Sequence, residues 1–144
     1  MKLSDLKIMV EQDMVIDQSD LSTASLRTPQ LHSKYLNHYT DAKLLCKKLD
    51  IDYKSLYQKK WEYYSGKMDQ DTLDALGWKP FQLKILRQDL SVYLDADTDL
   101  ALLKSKIDLQ KEKASFLEST IKNINNRIWA IKNSIDFKKF INGV

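Results

Sequence analysis

Chain-breaking residues and cysteines are scarce in this sequence. Its 144 residues include only three glycines and two prolines, and this scarcity favours long helices over a fold rich in turns. A single cysteine, Cys46, excludes an intrachain disulfide and fits a reducing compartment. No apolar run approaches the roughly 20 residues that span a bilayer, and the first residues lack the apolar stretch of a signal peptide. We therefore expect an all-α fold without a membrane segment, organised as one domain over residues 1–144.

The charge is patterned rather than uniform. The net charge is +3, yet basic residues dominate residues 31–67 and 100–144, whereas acidic residues dominate residues 1–30 and 68–99. Two basic blocks therefore flank an acidic one. This pattern is compatible with a polyanionic partner, although a uniformly basic DNA-binding protein would be more lopsided.

The first half of the chain contains the signals of two helices. Residues 3–13 are predicted to form a short helix, and residues 14–27 remain open. Thr28-Pro29 is typical of a helix start, and no glycine or proline follows until Gly66, so a long helix is predicted from about 29 to 65. We expect its buried stripe at Leu45, Leu49, Leu56 and Tyr63.

Shorter elements are predicted between the long helix and the last one. Asp71 to Leu76 favours a helical turn closed by Gly77. Leu83, Leu86 and Leu90 recur with helical spacing, whereas residues 81–86 are also compatible with a strand. Asp97 or Thr98 is the expected N-cap of the last helix.

The last helix has the most regular apolar pattern in the chain. From Leu100 to Ile135 the core positions advance by alternating steps of three and four for five heptads, which is typical of a coiled-coil seam. We expect residues 100–141 to be an oligomerisation helix, with a separate role for residues 1–99. Isoleucine at both core positions argues against a simple dimer, although one protomer could also cover the seam by itself. The expected subunit contacts are Leu117, Ile121, Ile124, Ile128, Ile131 and Ile135.

A second apolar set follows the same helix. It consists of Leu102, Leu109, Phe116, Ala130 and Phe137. A helix with two apolar stripes must pack against two surfaces. We expect one surface in the rest of the chain and the other in a neighbouring subunit.

Residues 53–67 interleave basic and aromatic side chains. Tyr53, Tyr57 and Trp61 are spaced four apart and share a helix face. Lysines neutralise phosphates and flat rings stack on unpaired bases, so the segment favours single-stranded DNA binding. The alternative is that the rings belong to the core or to a subunit contact. We therefore expect residues 1–99 to carry DNA binding, through Lys54, Lys59, Lys60, Trp61, Tyr63, Tyr64 and Lys67.

Catalytic and metal-binding patterns are missing from the sequence. Residues 95–99 resemble the opening of a calcium loop, but Leu100 and Lys106 occupy the places of its required glycine and glutamate, so helix capping explains these acids better. His32, His38 and Cys46 do not have the spacing of a metal site. We therefore expect neither an enzyme nor a bound cofactor or metal.

Several segments, in order, resemble the UvsY recombination mediator proteins of T-even-type phages. The resemblance covers most of the chain and is strongest where basic residues run into Tyr-Tyr-Ser-Gly. The matching residues are Leu3, Asp5-Leu6, Asp13, Ile16-Asp17, Leu21, Ser33 to Asn37, Lys54, Lys60, Tyr63 to Lys67, Ala130 to Lys132, and Phe140.

The resemblance implies a function and a set of partners. It implies a ring-like homo-oligomer larger than a dimer, in the cytoplasm of the infected bacterial host. That oligomer would bind single-stranded DNA, contact the phage single-strand binding protein, and help load the phage recombinase in recombination and repair. The family's basic pair corresponds here to Gln58 and Lys60, so one charge is missing, and Lys59 is a candidate replacement on another side of the helix. The alternative function is a coiled-coil scaffold without nucleic acid binding.

Overall fold

The computed structural model describes all 144 residues and contains helices and loops but no strand. The all-α prediction is confirmed. None of the helices combines the length and apolar character needed to cross a bilayer. The α-helices, in chain order, are α1 Leu3–Asp13, α2 Leu21–Tyr64, α3 Gln70–Leu76, α4 Leu90–Asp95 and α5 Thr98–Ile141, with one 3-10 turn at Arg87–Asp89.

The chain packs as two compact units. Residues 1–43 and 111–144 form the first unit, and residues 44–110 form the second. Both long helices, α2 and α5, contribute a segment to each unit. The expected division of roles between residues 1–99 and 100–141 remains a prediction, since it concerns function and not packing.

The long helix α2 begins earlier than its sequence predicts. The prediction of a start at Thr28-Pro29 is wrong, because α2 begins at Leu21 and contains Pro29. Asp20 caps this start: its carboxylate accepts hydrogen bonds from the backbone N–H of Thr23 at 3.2 Å and from its hydroxyl at 2.7 Å. Capping of this kind satisfies backbone donors that a helix start leaves unpaired.

A buried arginine supports α2 just before its proline. Pro29 lacks the N–H that would continue the helical hydrogen bonding. Arg127 donates to the carbonyl of Ala24 at 2.8 Å and to the hydroxyl of Thr28 at 3.0 Å. Burial lowers the pKa of Arg127, assisted by the nearby charge of Arg27. These bonds from α5 help to hold α2 in place around the proline.

The buried stripe of α2 lies in its first half. The expected stripe is wrong, because Leu45 is exposed and Leu49, Leu56 and Tyr63 are only half-buried. The buried positions instead advance by three, four or seven residues, which keeps them on one helix face. They are Leu21, Ala24, Thr28, Leu31, Tyr35 and Ala42, and only Lys60 is buried beyond them on this helix.

The core of the first unit uses the apolar seam of α5. Leu117 is 1% exposed, Ile124 0% and Ile131 2%, and they pack with side chains from the same chain, such as Leu31 and Leu21. The expectation that these three join subunits is therefore wrong, because the protomer already covers them. The argument against a dimer required the seam to lie between subunits, so these buried residues no longer support that argument. Ile121 and Ile135 are half-buried in the same cores, whereas Ile128 is 55% exposed.

The short elements of the second unit are partly as predicted. The helix closed by Gly77 is confirmed as α3, and Gly77 adopts a φ of 69°, which favours glycine. Residues 80–86 form neither helix nor strand, and the next helix, α4, begins only at Leu90. The N-cap prediction for Asp97 is confirmed, because its carboxylate accepts the backbone N–H of Leu100 at 2.9 Å.

Candidate nucleic-acid interface

The basic and aromatic segment occupies the end of α2. The helix stops where predicted, with Gly66 at a φ of 75°. The N–H of Gly66 donates to the carbonyl of Tyr63 at 3.3 Å, and that of Lys67 donates to the carbonyl of Glu62 at 2.9 Å. These bonds satisfy carbonyls that a helix end leaves free. The segment is therefore a rigid helix end and not a loop.

Lys60 is buried beside two aspartates. Its Nζ lies 3.1 Å from Asp97 and 2.8 Å from Asp99, and it sits 4.2 Å from the centre of the Trp78 ring. The side chains of Lys60 and Asp97 are only 8% and 4% exposed. Asp97 also accepts the hydroxyl of Tyr64 at 2.6 Å. The charge of Lys60 is therefore already neutralised within the protomer.

The pKa shifts of this pair agree with a charged contact. Burial acts to lower the pKa of Lys60, but its hydrogen bonds to Asp99 and Asp97 outweigh that effect and raise the pKa. Burial acts to raise the pKa of Asp97, but the bonds from Tyr64, Leu100 and Lys60 outweigh it and lower the pKa. Both groups therefore remain ionised at neutral pH.

We expect Asp97 to make the fold sensitive to acid. Its pKa lies below the ordinary value of 3.8, so its contribution to the free energy of unfolding is present above that value and is lost as the pH falls through the lowered pKa. Asp13, whose pKa is also lowered, contributes with the same sign. Urea unfolding between about pH 6 and about pH 2 should show falling stability, and Asp97→Asn should make the fall shallower. An equal fall in both proteins would contradict the assignment.

The tyrosines of the Tyr-Tyr-Ser-Gly segment belong to an aromatic cluster. The ring of Tyr63 lies 5.3 Å from that of Trp78, and the ring of Tyr64 lies 5.1 Å from Phe81 and 5.8 Å from Tyr93. These are the separations of favourable edge and tilted contacts. The hydroxyl of Tyr63 donates to the carbonyl of Lys79 at 2.6 Å. Both rings are half-buried and engaged within the protomer.

The remaining predicted residues are more accessible. Lys54, Lys59 and Lys67 are exposed, and none of them takes part in an ion pair with an acidic side chain. Trp61 is half-buried and packs in part against the core cluster of Leu90, Leu94 and Leu100, as the core alternative for these rings predicts, while the Nζ of Lys67 lies 4.7 Å from its ring centre. Gln58, which departs from the family pattern, is exposed and donates to Glu62 at 3.5 Å. The structure thus divides the seven predicted residues into an engaged group and an accessible group.

A protein-family comparison identifies what kind of protein carries this segment. The family model described as recombination, repair and ssDNA binding protein UvsY matches residues 9–144. The chain belongs to the UvsY family. It is accordingly a recombination, repair and single-stranded DNA-binding protein, and the scaffold alternative is not favoured. The family description is that of a binding protein, not of an enzyme class.

Comparisons with individual proteins agree with this assignment. The recombination protein uvsY of Enterobacteria phage T4 is 24% identical over 140 residues, which cover 97% of each chain. A crystal structure of the bacteriophage T4 recombination mediator protein UvsY in lattice type IV has a TM-score of 0.86 at 24% identity, covering 97% of this chain and 99% of that one. The lattice type II structure has a TM-score of 0.85 at 23% identity, covering 99% and 98%. The structural likeness supports the fold.

The structure adds residues to the UvsY-family site that the sequence did not single out. Asp97 was expected only as a helix cap, yet it also binds Lys60 and Tyr64. Trp78, Phe81 and Tyr93 complete the aromatic cluster. The sequence does contain a signal for these residues, because aromatic and acidic residues are concentrated in positions 78–99. The apolar spacing of that segment does not place them on a helix face.

Proposed function

We propose that this UvsY-family protein is a recombination mediator. It holds single-stranded DNA and helps a recombinase to replace single-strand binding protein on that DNA, in the cytoplasm of an infected bacterial host. The observation that carries the proposal is the group of exposed, unpaired lysines at the end of α2, of which Lys67 lies over the Trp61 ring, in a chain of a single-stranded DNA-binding family. Mediation of this kind needs equilibrium binding and no catalytic turnover.

We assign different roles to six of the seven predicted residues. Lys54, Lys59 and Lys67 contact phosphates, because their charges are accessible. The engaged side chains Lys60, Tyr63 and Tyr64 fix the shape of the helix end and so position the accessible ones. Phosphate and stacking contacts tolerate any sequence, so base specificity should be low.

We also propose a homo-oligomer larger than a dimer and ring-like in form. The second apolar stripe of α5 supports it, since Leu102, Leu109 and Phe137 are 60%, 51% and 62% exposed and their separation by multiples of seven residues places them along one side of the helix. Several subunits on one strand turn weak contacts into tight binding, because each later contact is intramolecular.

The second stripe predicts how the oligomer can be broken. Leu109→Asp together with Phe137→Asp should give smaller species with unchanged helix content, because buried carboxylates at a subunit contact are strongly disfavoured. Ile8→Asp is the matched control, since Ile8 is 56% exposed on α1 and outside the stripe. Light scattering measures the mass. A monomeric parent protein, or a double variant of parental mass, would contradict the assignment.

The mediator proposal is tested by recombinase loading. A DNA-dependent recombinase is added to a single strand covered by single-strand binding protein, and its assembly is followed with time by labelled recombinase. The parent protein should shorten the lag before assembly, whereas a strand without single-strand binding protein should need little help. An unchanged lag at saturating protein would refute mediation and leave only DNA binding.

A further inference from the structure

We propose that the cavity beside Trp61 holds one unpaired nucleobase of the bound strand, with Arg87 and Lys67 on its flanking phosphates. This inference rests on the proposed function and specifies how the strand is held. Only the folded structure places Arg87 at this site, since the sequence pattern of its segment does not indicate an interface.

The cavity is built from two parts of the second unit. Trp61, Ser65 and Lys67 line it from the end of α2, and Ile85, Leu86 and Arg87 line it from the segment before α4. Its volume is about 270 Å³, just below the roughly 300–1,000 Å³ of pockets for drug-sized ligands. A single flat ring system is the ligand class that suits this size.

The chemistry of the lining points to a nucleotide. The indole of Trp61 offers a stacking surface, and Ile85 and Leu86 supply apolar contact around it. The only charged side chains in the lining are the cations Lys67 and Arg87. A base between apolar groups with cations at the rim matches the way proteins bind single strands without sequence preference. The Nζ of Lys67 lies over the Trp61 ring. A base that stacks on this ring would displace the lysine toward a neighbouring phosphate.

The test separates base contacts from phosphate contacts. Affinity is measured for a short thymidine oligonucleotide and for an abasic oligonucleotide with the same number of phosphates. Trp61→Leu removes the stacking surface but keeps apolar volume against the neighbouring core, whereas Trp61→Phe keeps a ring. Trp129→Leu is the matched control, because Trp129 is 60% exposed and has Lys132 5.6 Å from its ring but does not line this cavity.

The parent should prefer the thymidine strand by about 5- to 150-fold, the worth of one stacked base. Trp61→Leu should bind both strands equally, Trp61→Phe should keep most of the preference, and Trp129→Leu should keep all of it. Thermal unfolding checks that Trp61→Leu remains folded. If a folded Trp61→Leu protein retained the parental preference, the base-binding assignment would be overturned.

Arg87 has a separate expected signature. Arg87→Ala should weaken binding of both strands alike and lower the salt slope by about 0.7, whereas Lys84→Ala, in the same segment but outside the lining, should change it less. Equal effects of Arg87→Ala and Lys84→Ala on the salt slope would contradict a phosphate contact by Arg87 at this site. If an acidic peptide bound to Trp61 and competed with DNA while the parent showed no base preference, the cavity would be a peptide site. A parent that bound neither strand would overturn the proposed function as well.

Discussion

Lys60→Ala is expected to lower the free energy of unfolding by about 3–5 kcal/mol, the cost of removing one partner from a buried ion pair. The variant leaves the carboxylate of Asp97 buried without its cation, next to the hydroxyl of Tyr64. Urea unfolding followed by circular dichroism measures the change. Lys59→Ala is the matched control, because Lys59 is the exposed neighbour of Lys60 and should shift stability by no more than about 0.5 kcal/mol.

A second variant distinguishes a lost charge pair from lost packing. Lys60→Met combined with Asp97→Asn removes both charges while keeping similar volumes, so it should recover part of the stability lost in Lys60→Ala. If Lys60→Ala were as stable as Lys59→Ala, the ion pair would not hold the helix end. Lys60 would then be free to contact DNA, as the family resemblance first suggested.

The neighbouring lysines explain why the site was only partly predictable. Composition and spacing were sufficient to place a basic and aromatic helix end at residues 53–67. They could not distinguish Lys59 from Lys60, because the difference depends on Asp97 and Asp99, which are distant in sequence and reach Lys60 only in the folded unit. Charge counts along a sequence do not reveal which charges neutralise one another.

The helix boundaries show a similar division. The start of α1, the Gly66 and Gly77 helix ends and the Asp97 cap follow from local chemistry, and all are confirmed. The start of α2 differs from its prediction because Asp20 caps the helix ahead of Pro29, and Arg127, remote in sequence, bonds the turn before the proline. A proline signals a helix start only when nothing else supports the preceding turn.

The spacing of α5 predicts its apolar seam correctly, but the surface that covers the seam belongs to the same chain and not to another subunit. Alternating steps of three and four require a facing apolar surface, and they do not state whether that surface lies in the same chain. The stripe of α2 from Leu21 to Ala42 was missed, since alanine and threonine interrupt its apolar pattern. That stripe supplies the facing surface for Leu117, Ile124 and Ile131.

Loss of the accessible lysines should have the largest effect on DNA binding. In Lys59→Ala with Lys67→Ala, each subunit on the strand loses two phosphate contacts, so affinity at moderate salt should fall on the order of 100-fold as multivalent binding weakens. Each released phosphate contact should also flatten the slope of log affinity against log salt by about 0.7. Lys2→Ala with Lys7→Ala removes the same charge from exposed positions at α1 and should change neither quantity much.

The salt dependence of single-stranded DNA affinity, measured for these two double variants and the parent, tests the central claim most directly. We assign the hold on the strand to the exposed lysines at the end of α2. We expect weaker binding and a flatter slope for Lys59→Ala with Lys67→Ala, at unchanged oligomer mass, and near-parental behaviour for the α1 control. Parental affinity and slope in the Lys59 and Lys67 variant across the salt range would contradict it, and would move the DNA contact to the exposed lysines of α5.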